Sequence, residues 1–116
     1  YLDTSKKSVK YILKLIKKIK KSSPKKTADI ISKKLGEIAK HMANNLKINR
    51  FILSGGATAT GICSILGISF LFIKKKIFAG VPLAYSIDKR LYIVTKPGGF
   101  GKKDALFKIF NILKNV

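Results

Sequence analysis

Apolar and polar positions alternate along this chain in four different rhythms. Residues 8–21, "SVKYILKLIKKIKK", place Val9, Ile12, Leu13, Ile16 and Ile19 at helical spacing, with Lys10, Lys14, Lys17, Lys18 and Lys21 on the opposite face. Lys20 falls beside the apolar stripe and has to snorkel outward. The "SSP" at Ser22–Pro24 stops this helix and starts another, because Pro suits the first helical position after a Ser cap. Residues 24–46 then carry a narrower stripe of Ala28, Ile31, Leu35, Ile38, Met42 and Leu46, which reads as a packing helix weakened at Gly36. Next comes a run without any charge, residues 51–73, bounded by Arg50 and by Lys74, Lys75 and Lys76. It is long enough for a helix that crosses a bilayer's hydrocarbon core. Residues 77–95 form a further apolar run. The alternation of "RLYIVT" around "DKR" also allows a short β-hairpin over 83–95, and the pattern does not choose between that hairpin and a returning hydrophobic arm. Asp104 stands where a cap would open a last amphipathic helix over 104–115, with Leu106, Ile109, Phe110 and Leu113 on one face.

These elements predict a mainly α fold: a small helical bundle in one domain, with a central apolar helix or hairpin. The first half of the central run is rich in small residues. Pairs four apart (Gly55/Ala59, Gly56/Thr60, Ala57/Gly61) let helix backbones approach closely within a membrane.

Composition sharpens the reading. The 116 residues carry 25 basic and 5 acidic side chains, a formal net charge of +20, and yet 47% are hydrophobic. That is too apolar for a disordered basic tail. High charge beside a span-length segment points to a membrane surface before nucleic acid. The chain begins with Tyr, which suits a mature form after loss of a signal segment, and hence a secreted or membrane-associated protein.

Catalytic chemistry is hard to find. His41 has no Cys, Asp or Glu at ligand spacing. No two of the five acids sit together as an acid/base pair. Cys63, the single cysteine, lies in apolar sequence that dulls a thiol. "PGGFGKK" lacks the spacing of a phosphate-binding loop and reads as a turn.

The stretch "LGEIAKHMANNLKINRFILSGGATATGICSILGI", Leu35 to Ile68, resembles a segment of the apolipoprotein L family. There an amphipathic helix leads into a Gly/Ser/Thr-rich apolar stretch ending in a "GI-x-x-[IVL]-L-G" pattern. Here that pattern is Gly61, Ile62, Ile65, Leu66 and Gly67, with Ala79 and Gly80 following. The resemblance implies a membrane-associated or membrane-permeabilising protein with a hydrophobic helical hairpin.

The expected function is therefore membrane binding and permeabilisation of the toxin, venom or antimicrobial type, with no enzymatic activity and no cofactor. Lys10, Lys14, Lys17, Lys18, Lys21, Lys74, Lys75 and Lys76 would contact anionic lipid headgroups. Val9, Ile12, Leu13, Ile16 and Ile19 would bury at the interface. Phe51, Ile52, Leu53, Gly61, Ile62, Ile65, Leu66, Phe70, Leu71, Phe72 and Ile73 would insert. Expected partners are an anionic membrane, further copies upon it, and polyanions including nucleic acid held non-specifically, with no small-molecule substrate. Two alternatives stand beside this: a single-pass subunit of a membrane complex, and a non-specific nucleic-acid binder.

Overall fold

The computed structural model describes residues 6–21, 23–98 and 103–116. Eight elements follow one another: α1 (Lys6–Lys20), α2 (Pro24–Asn45), β1 (Arg50–Ser54), α3 (Gly56–Ile65), β2 (Phe72–Phe78), β3 (Val81–Ser86), β4 (Leu91–Lys96) and α4 (Ala105–Leu113). The strands form one mixed sheet in the order β1-β4-β3-β2. β1 runs parallel to β4, whereas β3 is antiparallel to both β2 and β4.

The expected helical bundle is thus replaced by a mixed α/β fold. The decisive segment is the uncharged run 51–73, which is not one helix. Its opening residues, "FIL", are β-branched or bulky and, with Arg50 before them and Ser54 after, enter the sheet as β1. Gly55 follows at φ +94°, a conformation that only glycine adopts readily, and turns the chain into α3. Gly67, at φ +75°, ends that helix after ten residues. Phe72 and Ile73 then begin β2. Among the described residues, no helix is long and apolar enough to cross a membrane. The hairpin allowed over 83–95 is one pair within this sheet, with Leu83 opposite Val94 and Tyr85 opposite Tyr92.

The sheet is covered on both faces. On one face, Phe51, Leu53, Leu91 and Ile93 pack with Ala39 of α2 and Ala59 and Ile62 of α3. On the other, Val81, Leu83 and Val94 pack with Ile109 and Leu113 of α4. The alternation of β4 explains the split, since Leu91 and Ile93 point one way and Tyr92 and Val94 the other. A strand buried on both faces reads as continuous hydrophobicity, which is how a span-length apolar run arises without a span.

The helices bury faces other than the expected ones. In α2 the large stripe residues Ile31, Leu35 and Ile38 are exposed, and the buried positions are Ser32, Gly36 and Ala39. Small residues win because α3 lies almost backbone to backbone with α2 there. The expected Ser cap is present at Ser23, whose hydroxyl accepts from the Lys26 amide at 3.2 Å, with Pro24 following. Asp104 occupies the N-cap position of α4 but makes no capping bond, and its carboxylate pairs instead with Lys108 at 3.3 Å. Of the expected face of α4, Ile109 and Leu113 are buried while Leu106 and Phe110 are exposed.

Candidate phosphate-binding turn and the cleft beside it

The parallel pair β1/β4 places its two carboxyl ends side by side, with Ser54 opposite Lys96 in register. A glycine-bearing turn leaves each end. After β1 comes "SGGAT", Ser54–Thr58, which opens α3. After β4 comes "KPG", Lys96–Gly98, which leads towards residues 99–102 outside the described set. The two turns touch: the Gly55 amide donates to the Lys96 carbonyl at 2.8 Å, and a Cβ on Gly98 would lie 3.9 Å from the Gly55 Cα.

Helix α3 begins here without a side-chain cap, because its N-cap residue is Gly55. Its first intrahelical amide bond is from Ala59 to the Gly55 carbonyl. The preceding amides of the first turn are therefore not satisfied within the helix and point along the axis. Gly56 is exposed, and a Cβ there would meet nothing within 4 Å. An uncapped N-terminus with open space before it favours an anion through its amides and dipole. Positive charge is at hand. Lys96 curls over its own turn, its Nζ donating to the carbonyls of Pro97 at 3.0 Å and Gly98 at 3.3 Å. The position, outside the carboxyl ends of parallel strands, is where open α/β sheets hold ligands.

A cleft of about 600 Å³ runs from this turn along one side of α3. Gly56, Thr60 and Thr95 border its mouth; Cys63, Phe70 and Leu71 border its far end. Thr60 is braced by a hydrogen bond from its hydroxyl to the Gly56 carbonyl at 3.0 Å. The Cys63 thiol is pushed above its ordinary pKa by burial. No group of three or more His, Cys, Asp and Glu that could hold a metal ion occurs among the described residues.

The sequence model of a family described as "Nucleotide-binding C-terminal domain" matches residues 2–106. The chain belongs to this family. A 3-oxo-tetronate kinase of Pseudomonas savastanoi pv. phaseolicola is 37% identical over 75 residues, which are 64% of this chain and 17% of that one. A D-threonate kinase of Bordetella bronchiseptica is 30% identical over 84 residues, 70% of this chain and 21% of the relative. Two crystal forms of a Bordetella bronchiseptica domain of unknown function (DUF1537), a domain-swapped dimer with bound citrate, superpose with TM-scores of 0.64 and 0.68 at 28% and 27% identity. They cover 70% and 74% of this chain and 21% and 22% of that one. The chain thus spans about a fifth of the length of these relatives.

Membership of the nucleotide-binding family corrects the expected function. The likeness to apolipoprotein L does not hold, and the residues that carried it (Gly61, Ile62, Ile65, Leu66, Gly67) belong to α3 and its terminal turn. Relatives named as kinases overturn the expectations of a non-enzymatic, pore-forming or toxin-like protein, of membrane partners, and of no small-molecule substrate.

The structure disperses the residues expected to act at a membrane. Lys10, Lys14, Lys17 and Lys18 lie exposed on α1, and Lys21 in the turn after it. Lys74, Lys75 and Lys76 lie exposed on the edge strand β2, where charge blocks further strand pairing. Leu13 and Ile16 are exposed on α1, while the side chains of Val9, Ile12 and Ile19 fall outside the described set. Phe51 and Leu53 are buried under α3, with Ile52 partly buried on the opposite face of the sheet. Ile62 and Leu66 are core residues, Ile65 sits over Gly36, and Gly61 sits over Ser32. Phe70, Phe72 and Ile73 are exposed, and Leu71 packs against the core. Only Phe70 and Leu71 of these line the cleft. The turn glycines Gly55 and Gly56 were read as close-packing positions of a membrane helix and not as a turn, and Lys96 was not singled out. The available signal was "SGG" directly after a run of β-forming residues.

Proposed function

We propose that this chain holds the phosphate groups of a nucleotide on the turn Ser54–Thr58, as the nucleotide-binding part of a kinase acting on a small sugar acid. The observation that carries the reading is the uncapped start of α3 at the carboxyl end of β1, touching the Lys96–Gly98 turn. Amides at the helix start would donate hydrogen bonds to the phosphate oxygens. The Lys96 ammonium, drawn off its own loop carbonyls, would supply charge to them. The net charge of +20 surrounds the site with a field that attracts a nucleotide's negative charge. The family description and the kinase relatives support the nucleotide; the names 3-oxo-tetronate kinase and D-threonate kinase suggest a four-carbon sugar acid as phosphoryl acceptor. In this reading the acceptor is held by segments beyond these 116 residues, which correspond to about a fifth of such a kinase.

Calorimetric titration with ADP tests the proposal. Saturable binding at a single site is expected, abolished or strongly weakened by Gly55→Val, in a variant shown by circular dichroism to stay folded. Absence of ADP binding by the wild-type protein would refute it.

A further inference from the structure

We infer that the cleft between α3 and residues 68–71 receives the nucleoside half of the nucleotide, with the Phe70 ring as the surface on which the base stacks. The inference rests on the phosphate reading above and extends it along the helix. Gly56 belongs both to the phosphate turn and to the cleft, and Thr60, braced on the Gly56 carbonyl, lines the cleft one turn further on, so a ligand anchored at the start of α3 has its remaining atoms directed into this space. Gly56, Thr60 and Cys63 follow one side of α3 over about 10 Å of helix, which suits a nucleoside extending from its phosphates and exceeds the reach of a bare phosphate. The volume of about 600 Å³ lies within the usual range for small-molecule sites.

Hydroxyls occur along the whole cleft, and apolar side chains gather at the end away from the turn. Threonines 60 and 95 stand at the phosphate end, where ribose hydroxyls would fall. The far end carries Ile68, Phe70 and Leu71 beside the half-buried Cys63. Ser64 and Ser69 supply hydroxyls there that can meet the polar edge of a base. Phe70 is 61% exposed, and of the exposed phenylalanines among the described residues (Phe70, Phe72, Phe107 and Phe110) it is the one that borders this cleft. It is not loose, because Phe72 meets it edge-on at 5.6 Å between centroids. An oriented, exposed ring on the wall of a cleft is the arrangement on which a flat base stacks.

The opposite flank of α3 is a poorer candidate. The groove there, about 440 Å³ between α2 and α3, is lined by Asp29 and Lys33, whose charges offset each other, and has no aromatic ring on which a base could stack.

The test titrates wild-type protein, Phe70→Ala and Phe70→Tyr with ADP and with inorganic pyrophosphate, in about 0.15 M salt to suppress diffuse binding to the lysines. The expected result is an ADP affinity about tenfold or more weaker in Phe70→Ala, restored in Phe70→Tyr, with pyrophosphate affinity equal in all three. Equal ADP affinity in wild type and Phe70→Ala would overturn the inference while leaving the phosphate reading standing. So would equal binding of ADP and pyrophosphate by the wild type. Failure of the wild type to bind either ligand would overturn both. Because Phe70 lies outside both core clusters, its truncation is expected to leave the fold intact.

Discussion

A Cβ on Gly61 would stand 2.6 Å from the Cβ of Ser32, so helices α3 and α2 meet with no room for a side chain between them. One turn further along, a Cβ on Gly36 would come within 2.7 Å of two Ile65 side-chain atoms. The two glycines thus make a reciprocal contact, each helix giving up a side chain where the other approaches. Gly61→Ala is therefore expected to destabilise the protein. Overpacking of this kind costs about 1–3 kcal/mol, and the better helix propensity of Ala returns about 1 kcal/mol. The net expectation in urea unfolding is a loss of up to about 2 kcal/mol. Adding Ser32→Gly should remove the clash, so that the double variant loses less than the sum of the two single ones.

The adjacent glycines of the α3 turn separate fold from binding. Gly55 has φ +94° and ψ 125°, where an L side chain is strained, so Gly55→Ala is expected to cost about 1–3 kcal/mol. Gly56 is helical, and a Cβ there meets nothing within 4 Å. Gly56→Ala should thus leave thermal stability unchanged or slightly raised, since Ala is the better helix former by up to about 1 kcal/mol. Its methyl group would nonetheless stand where a phosphate must approach the amides. An ADP affinity weakened in a variant of undiminished stability is the expected pair of results. An unchanged affinity would move the phosphate away from this turn.

These two contacts also show how far the sequence could be read. The start of α2 was legible, because Ser23 and Pro24 are local signals whose geometry does not depend on the rest of the chain. The hairpin β3–β4 was visible as an alternative in the rhythm of "RLYIVT". The segment 51–73 was not legible from length and charge. A strand, a turn, a short helix and a second strand, all partly covered by neighbours, are as uncharged as a membrane span. What distinguishes them is tertiary: α2 packs on α3, α3 packs on β1, and β4 pairs with β1 in the sheet. Small residues four apart read the same in either setting, because close helix contact needs them in water as in lipid. The candidate site stayed hidden because its parts lie about forty residues apart, at Gly55 and Lys96, and only the parallel pairing of β1 with β4 joins them.

Lys96 gives a test of charge at the site. Its ammonium donates to the Pro97 and Gly98 carbonyls, in the turn whose backbone touches Gly55 at the start of α3. Replacing it by Met removes the charge while keeping most of the stem. An ammonium–phosphate hydrogen bond contributes about 1.5–3 kcal/mol, so ADP binding to Lys96→Met should weaken roughly tenfold to a hundredfold. Its salt dependence should become shallower by about one ion, by the same logic that relates phosphate contacts to counterion release. Stability should change by no more than about 1 kcal/mol, since the bonds lost are exposed ones. A variant that binds ADP like the wild type, with the same salt slope, would assign Lys96 only to holding its own loop.

Cys63 gives the fold a pH dependence that can be isolated. Burial disfavours the thiolate, so the folded pKa lies above the ordinary thiol value. Below the unfolded pKa both states hold the proton, and the contribution to stability is constant. Above it the unfolded chain ionises first, so stability is lost as pH rises through the folded value. The stability difference between wild type and Cys63→Ala is therefore expected to be flat from about pH 6 to pH 8 and to shift against the wild type above about pH 8.5. Subtracting the variant's curve removes the lysines, whose titration is common to both. The same desolvation should make Cys63 react with iodoacetamide more slowly than free cysteine at about pH 7.5. Because the thiol borders the cleft, saturating ADP should slow that reaction further. A thiol that reacts as fast as free cysteine would contradict its burial, and one that ADP leaves unprotected would place the nucleoside elsewhere.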